Sequence, residues 1–142
     1  MQKYFLVGLL LVAVLISGCA TKPIGNVEVL EKDIVVLCNL MAQYCQDDYA
    51  HFKEKVVTLE NENELIIYAQ TDCCTEFDVH SVNKSSEKIN IELREKGEEV
   101  CLCGAHLKKI DLKLNTTLSL ENLNIWQIQE YANKKIQIYP KP

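Results

Sequence analysis

Residues 76–95 read EFDVHSVNKSSEKINIELRE. Two runs of alternation flank a polar stretch. Phe77 and Val79 alternate with Glu76, Asp78 and His80; Ile89, Ile91 and Leu93 alternate with Asn90, Glu92 and Arg94. Successive side chains of a strand point to opposite faces, so each run reads as a strand with one buried face. Asn83–Glu87 between them is a turn signal. The stretch is expected to fold as a hairpin, with Phe77–Val82 paired to Ile89–Leu93.

The same period extends outward. Glu64–Thr71 (ELIIYAQT) is apolar on both sides. Ile110, Leu112 and Leu114 alternate with Asp111 and Lys113, and 123–131 and 135–139 continue the pattern. Asn61-Glu62-Asn63, Lys96-Gly97-Glu98 and Glu121-Asn122 punctuate the runs. Short half-buried strands joined by tight turns predict an antiparallel meander, sandwich or small barrel. Upstream the spacing changes. Leu30, Ile34, Cys38, Met41, Cys45, Tyr49, Phe52 and Val56 recur at intervals of three and four, one face of a helix. Ile34-Val35-Val36-Leu37 is rich in β-branched residues and suits a strand equally. A helix is expected over about 39–55, with 27–38 open to either reading. The fold class is thus mainly β (α+β): a small antiparallel sandwich or barrel with one packed N-terminal helix, stapled by disulfides.

The first twenty residues, MQKYFLVGLLLVAVLISGCA, set the compartment. Lys3 precedes an apolar run from Tyr4 to Ile16, too short for a spanning helix of about 20 residues but suited to a secretory signal. Leu15-Ile16-Ser17-Gly18-Cys19 resembles the bacterial lipobox. That resemblance implies cleavage after Gly18, a diacylglyceryl group on the Cys19 sulfur and acylation of the new amino terminus. The organisation expected is a signal peptide over 1–18, a lipidated Cys19 with a short linker over 19–26, and a single β-rich domain over 27–142. Stable anchoring takes about two membrane signals, and a triacylated cysteine exceeds that. Ala20 is not the aspartate that retains enterobacterial lipoproteins at the inner membrane, so the outer membrane is the expected address.

Removing residues 1–18 leaves 124 of 142 residues and takes away one charge, so 14 basic residues face 20 acidic ones and the formal charge moves from −5 to −6. The chain is long enough for one domain with its own core. Its balance argues against nucleic acid, which needs a clustered basic face, and against a polybasic membrane patch.

With Cys19 lipidated, six cysteines remain: Cys38, Cys45, Cys73, Cys74, Cys101 and Cys103. An even number outside the cytosol points to disulfides. On one straight helix Cys38 and Cys45 would stand about 10 Å apart, beyond the roughly 7 Å that a disulfide spans. They pair only if the helix begins after Cys38, and that pairing is slightly favoured over long-range partners. Cys101 and Cys103 share a strand face, whereas Cys73 and Cys74 would not unless the chain turns there, which Asp72 before them makes reasonable. The competing reading is a Cu(I) or Zn(II) site using Cys73, Cys74, Cys101 and Cys103, with His106 or His80 beside them. No Cys-x-x-Cys occurs, which removes the usual zinc-ribbon and thioredoxin-like patterns.

From Asp72 to about Gln129 the chain resembles small bacterial lipoproteins, many from Bacteroidetes. The matching residues are Cys73-Cys74, the hairpin through Val79 and Ile91, Cys101-x-Cys103, Ile110-x-Leu112-x-Leu114 and Ile125-Trp126-x-Ile128. The resemblance implies an architecture and no activity.

No nucleophile elbow, zinc-protease helix or phosphate loop is present. His51, His80 and His106 are scattered. Glu60–Glu64 lacks a calcium-loop pattern and reads as a solvated turn. Trp126, the single tryptophan, reads as core. The expectation is a non-catalytic envelope lipoprotein, structural or binding, with no cofactor, a membrane partner through Cys19 and an envelope protein as a possible second partner. The alternatives are the metal-binding lipoprotein and an inhibitor of a periplasmic enzyme, presenting Asn83–Glu87 or Thr116–Asn122.

Overall fold

The computed structural model describes residues 26–39, 55–97 and 104–141. Among these residues eight strands follow in chain order: β1 (Val29–Asn39), β2 (Val57–Leu59), β3 (Glu64–Asp72), β4 (Glu76–Ser85), β5 (Lys88–Lys96), β6 (Ala105–Leu114), β7 (Leu123–Gln129) and β8 (Lys134–Tyr139). Among the described residues a 3-10 turn, Leu120–Asn122, enters β7. They form two four-stranded sheets, β1-β6-β3-β2 and β4-β5-β7-β8. One buried cluster draws on both: Leu65 and Ile67 of β3 and Ile110 and Leu112 of β6 meet Ile91 and Leu93 of β5 and Ile125 of β7. The molecule is mainly β, with two open sheets enclosing one core.

The period-two runs became strands for the expected reason: their apolar residues line the enclosed face. Ile89, Ile91 and Leu93 are 2% exposed or less, while Asn90, Glu92 and Arg94 point outward. The expected hairpin is present. Ser85 pairs with Lys88 across a two-residue turn whose first residue, Ser86, has φ 56°. Positive φ at that position is what tight hairpin turns with the strands' own twist require. A register shift between Val79 and Ser81 puts His80 in a bulge.

One open reading is settled and one expectation is corrected. The ambiguous segment is strand β1, paired to β6 with register shifts at Val29/Glu31 and Val36/Cys38. The helical spacing of Leu30, Ile34 and Cys38 therefore carries no helix there; the helix expected over 39–55 falls, apart from its two ends, outside the described residues. The pairing is not wholly antiparallel. β5 and β7 run parallel, Ile89 opposite Leu123 through Glu95 opposite Gln129. β6 crosses to the other sheet between them, so the connection that a meander would make locally is replaced by a crossover.

Candidate functional site

Four inward-facing stripes run from apolar to polar in the same direction. They are Leu65, Ile67, Ala69 and Thr71 on β3; Ile89, Ile91, Leu93 and Glu95 on β5; Leu123, Ile125 and Gln127 on β7; and, read backwards, Leu114, Leu112, Ile110 and Lys108 on β6. Strand direction and register bring the polar ends to one end of the sandwich, beside the turn that joins β3 to β4.

Glu95 is 0% exposed. A buried carboxylate needs donors, because transfer out of water is costly unless its oxygens are satisfied. One oxygen accepts from the Asp72 backbone N–H at 2.7 Å and the Thr75 hydroxyl at 2.9 Å. The other accepts from the amides of Gln127 at 2.9 Å and Gln129 at 3.2 Å. Gln127 also donates to the Gln70 carbonyl at 3.0 Å, tying β7 to β3. Lys108, 7% exposed, donates to the Thr75 carbonyl at 3.4 Å and lies 5.3 Å from the Phe77 ring centre. Burial pushes its ammonium below the usual lysine range, and the Glu95 charge partly opposes that. The Tyr131 hydroxyl donates to Asp72 Oδ2 at 2.9 Å.

This network holds the Cys73-Cys74 turn. Asp72 and Thr75 bracket the two cysteines, and both bind Glu95. The Thr75 hydroxyl also donates to the Asp72 carbonyl at 2.7 Å, closing the turn. Gly97, at φ 155°, lies against it: a Cβ there would meet Thr75 Cγ2 at 3.0 Å and the Cys74 carbonyl at 3.2 Å. The turn expected from the sequence is therefore present. Cys73 N–H donates to the Gly104 carbonyl at 3.0 Å, so the turn sits beside the residue that follows Cys101-x-Cys103.

Cys38, Cys73 and Cys74 are each disulfide-bonded. The Cys73 and Cys74 sulfurs are 3.9 Å apart, against about 2.05 Å for an S–S bond, so they are not joined to each other. Cys19, Cys45, Cys101 and Cys103 lie outside the described residues, as does His51. His106 stands on β6 opposite Thr71, and His80 on the outer side of β4 against Arg94; the two belong to different sheets. Among the described residues no three His, Cys, Asp or Glu side chains converge as metal ligands. Glu64 is held by Lys113 and Asn61, which lower its carboxyl below the usual range, so the acidic turn is committed locally.

The outer face of β4-β5-β7-β8 is a second polar surface. Asn83, Asn90 and Asn124 are in register on three adjacent strands. Asn124 donates to Asn90 at 3.1 Å, and Asn90 to Asn83 at 3.3 Å. In the next row Ser81 donates to Glu92 at 3.1 Å, and Lys135 reaches both Glu92 and the Trp126 ring, 5.2 Å from its centre. Trp126 is partly exposed on this face and does not join the core, a correction to its sequence reading.

Sequence reasoning missed Glu95, Lys108 and Gln127. Their signal was phase: each continues an inward stripe beyond its last apolar residue. Comparison with protein-family models, curated proteins and solved structures finds no match for this chain.

Proposed function

We propose that this chain is a lipid-anchored bacterial envelope protein whose β domain is a non-catalytic binding module. Residues 1–18 serve as its signal peptide and Cys19 carries the lipid, with the outer membrane as its address. β1 begins at Val29, ten residues after Cys19, so the tether is short. One observation carries the non-catalytic reading: the buried chemistry is turned inward. The Glu95 carboxylate takes four donors from its own chain, and its neighbours brace a turn. A catalytic carboxylate needs an open coordination position for a substrate proton. The β domain is cross-linked by Cys73 and Cys74 to Cys101 and Cys103, with Cys38 joined to Cys45. The Cys73–Gly104 hydrogen bond supports the first pair of links. The bonded state of Cys38, Cys73 and Cys74 favours staples over a copper or zinc site, since metals take thiolates.

The test is metabolic labelling with an alkyne palmitate in a bacterial host, followed by membrane fractionation. Label in the outer-membrane fraction that disappears in Cys19→Ala supports the reading. An unlabelled, unprocessed and reduced chain in the cytosol refutes it.

A further inference from the structure

We propose that the outer face of the β4-β5-β7-β8 sheet is a platform for an uncharged, β-linked carbohydrate chain, with Asn83, Asn90 and Asn124 meeting its hydroxyls and Trp126 stacking on a sugar ring. This rests on the binding-module reading and names its ligand.

Asparagine is depleted from strands, yet three stand in one row across three strands. An ordinary solvated face would carry Thr, Lys or Glu there. An amide has two N–H donors and two acceptor lone pairs. Asn90 spends one donor on Asn83 and one acceptor on Asn124, and keeps one of each. The row thus alternates donors and acceptors at the strand spacing of about 4.8 Å. Sugar hydroxyls both donate and accept, and this spacing is on the scale of one pyranose unit. Trp126 is two residues from Asn124 on the same strand face, so ring and amides lie side by side. An indole is a flat apolar surface with one polar edge, matching the C–H face of a pyranose once the flexible Lys135 side chain, which lies 5.2 Å over the ring centre, swings aside.

Charge selects the class. The chain carries −5 overall, but the charged side chains beside Trp126 are paired, while Lys88, on the other side of the Asn row, gives its ammonium to the Glu121 carbonyl. Glu92 binds Lys135, and Arg94 lies 3.0 Å from Glu130. Charges paired around the indole offer little field to nucleic acid or anionic lipid and repel no neutral ligand. An open sheet face suits an extended chain better than a compact molecule, which takes a concave site.

Trp126 is the only tryptophan, so tryptophan emission reports this face alone. The experiment titrates the full-length lipoprotein in detergent micelles with cellohexaose and chitohexaose, with an anionic alginate hexasaccharide as comparator. The proposal expects a saturable emission change with a neutral hexasaccharide and none with alginate. Asn90→Ala should weaken binding about tenfold, the weight of one to two hydrogen bonds. Asn83→Ala, exposed at the end of the row and away from the core, should weaken it in the same direction if Asn90→Ala fails to fold. Trp126→Phe, followed by calorimetry, should weaken it further. Unchanged emission with both neutral sugars overturns the proposal, as does wild-type affinity in folded Asn90→Ala and Asn83→Ala. Tighter binding of alginate, or of a protein at this face, overturns it too. Because palmitate labelling is read separately, a labelled chain that ignores these sugars refutes the ligand and leaves the envelope anchoring standing.

Discussion

Glu95 and Gln127 meet diagonally across the two parallel strands, where the register sets Gln127 opposite Leu93: a Glu95 carboxylate oxygen accepts the Gln127 amide at 2.9 Å, and neither residue is more than 5% exposed. This pair sits where apolar packing gives way to polar packing, and the β3–β4 turn hangs from the same carboxylate. The parallel pairing of β5 and β7 is what makes it, because Glu95 and the glutamines come to one end only when those strands run the same way.

Glu95→Leu should cost about 3–5 kcal/mol, since it takes the shared acceptor from four donors, of which Thr75 and Gln127 keep a second acceptor, and leaves Lys108 buried without its opposing charge. Glu95→Gln keeps two acceptor positions and should cost less. Urea unfolding of both variants measures this. A Glu95→Leu loss under about 1 kcal/mol would show that the network is not holding the turn.

Thr71 makes the opposite case at the same end. It is 2% exposed, and among the described residues its hydroxyl has no hydrogen-bond partner. Thr71→Val removes a desolvated hydroxyl while keeping the shape. It should raise stability by roughly 1 kcal/mol. A destabilised variant would mean that the hydroxyl is satisfied in solution.

Acid sensitivity follows from the surface pairs. The Lys32 hydrogen bond holds the Asp78 carboxyl below its ordinary range, and Lys135 does the same for Glu92. A carboxyl lowered in the fold contributes stability that is complete above its unfolded value and is lost as pH falls through the folded one. The window therefore lies below the ordinary values of 3.8 and 4.5. Urea midpoints should hold from neutral pH downward and then drop in that acid window. Asp78→Asn should flatten part of the drop, by under about 1 kcal/mol because the pair is exposed. An identical acid slope in the variant rules out this assignment.

Peptide mapping without reductant should recover Cys73 and Cys74 linked to Cys101 and Cys103, and Cys38 linked to Cys45. Loops of nearly 30 residues closed this way stabilise by roughly 3–4 kcal/mol each in the chain-entropy picture. Reductant should accordingly lower the thermal midpoint. Free thiols at Cys73 and Cys74 with one bound copper or zinc, in protein from the native envelope, would put the metal reading ahead of the staples.

Alternation in 76–95 was enough to determine β4, β5, the hairpin between them and the faces that Ile89, Ile91 and Leu93 present, because the side-chain period of two is a property of one strand. The turn at Cys73-Cys74 was legible for the same local reason. Period says nothing about which distant strand lies alongside. Only the tertiary structure decided that β7 joins β5 in parallel, that β6 leaves for the other sheet, and that 29–39 is strand although its apolar spacing suits a helix. Glu95, Lys108 and Gln127 meet, and Asn124 completes the row of Asn83 and Asn90, through that pairing: register between strands some 30 residues apart is settled by the shared core, where burying every inward stripe at once leaves one arrangement.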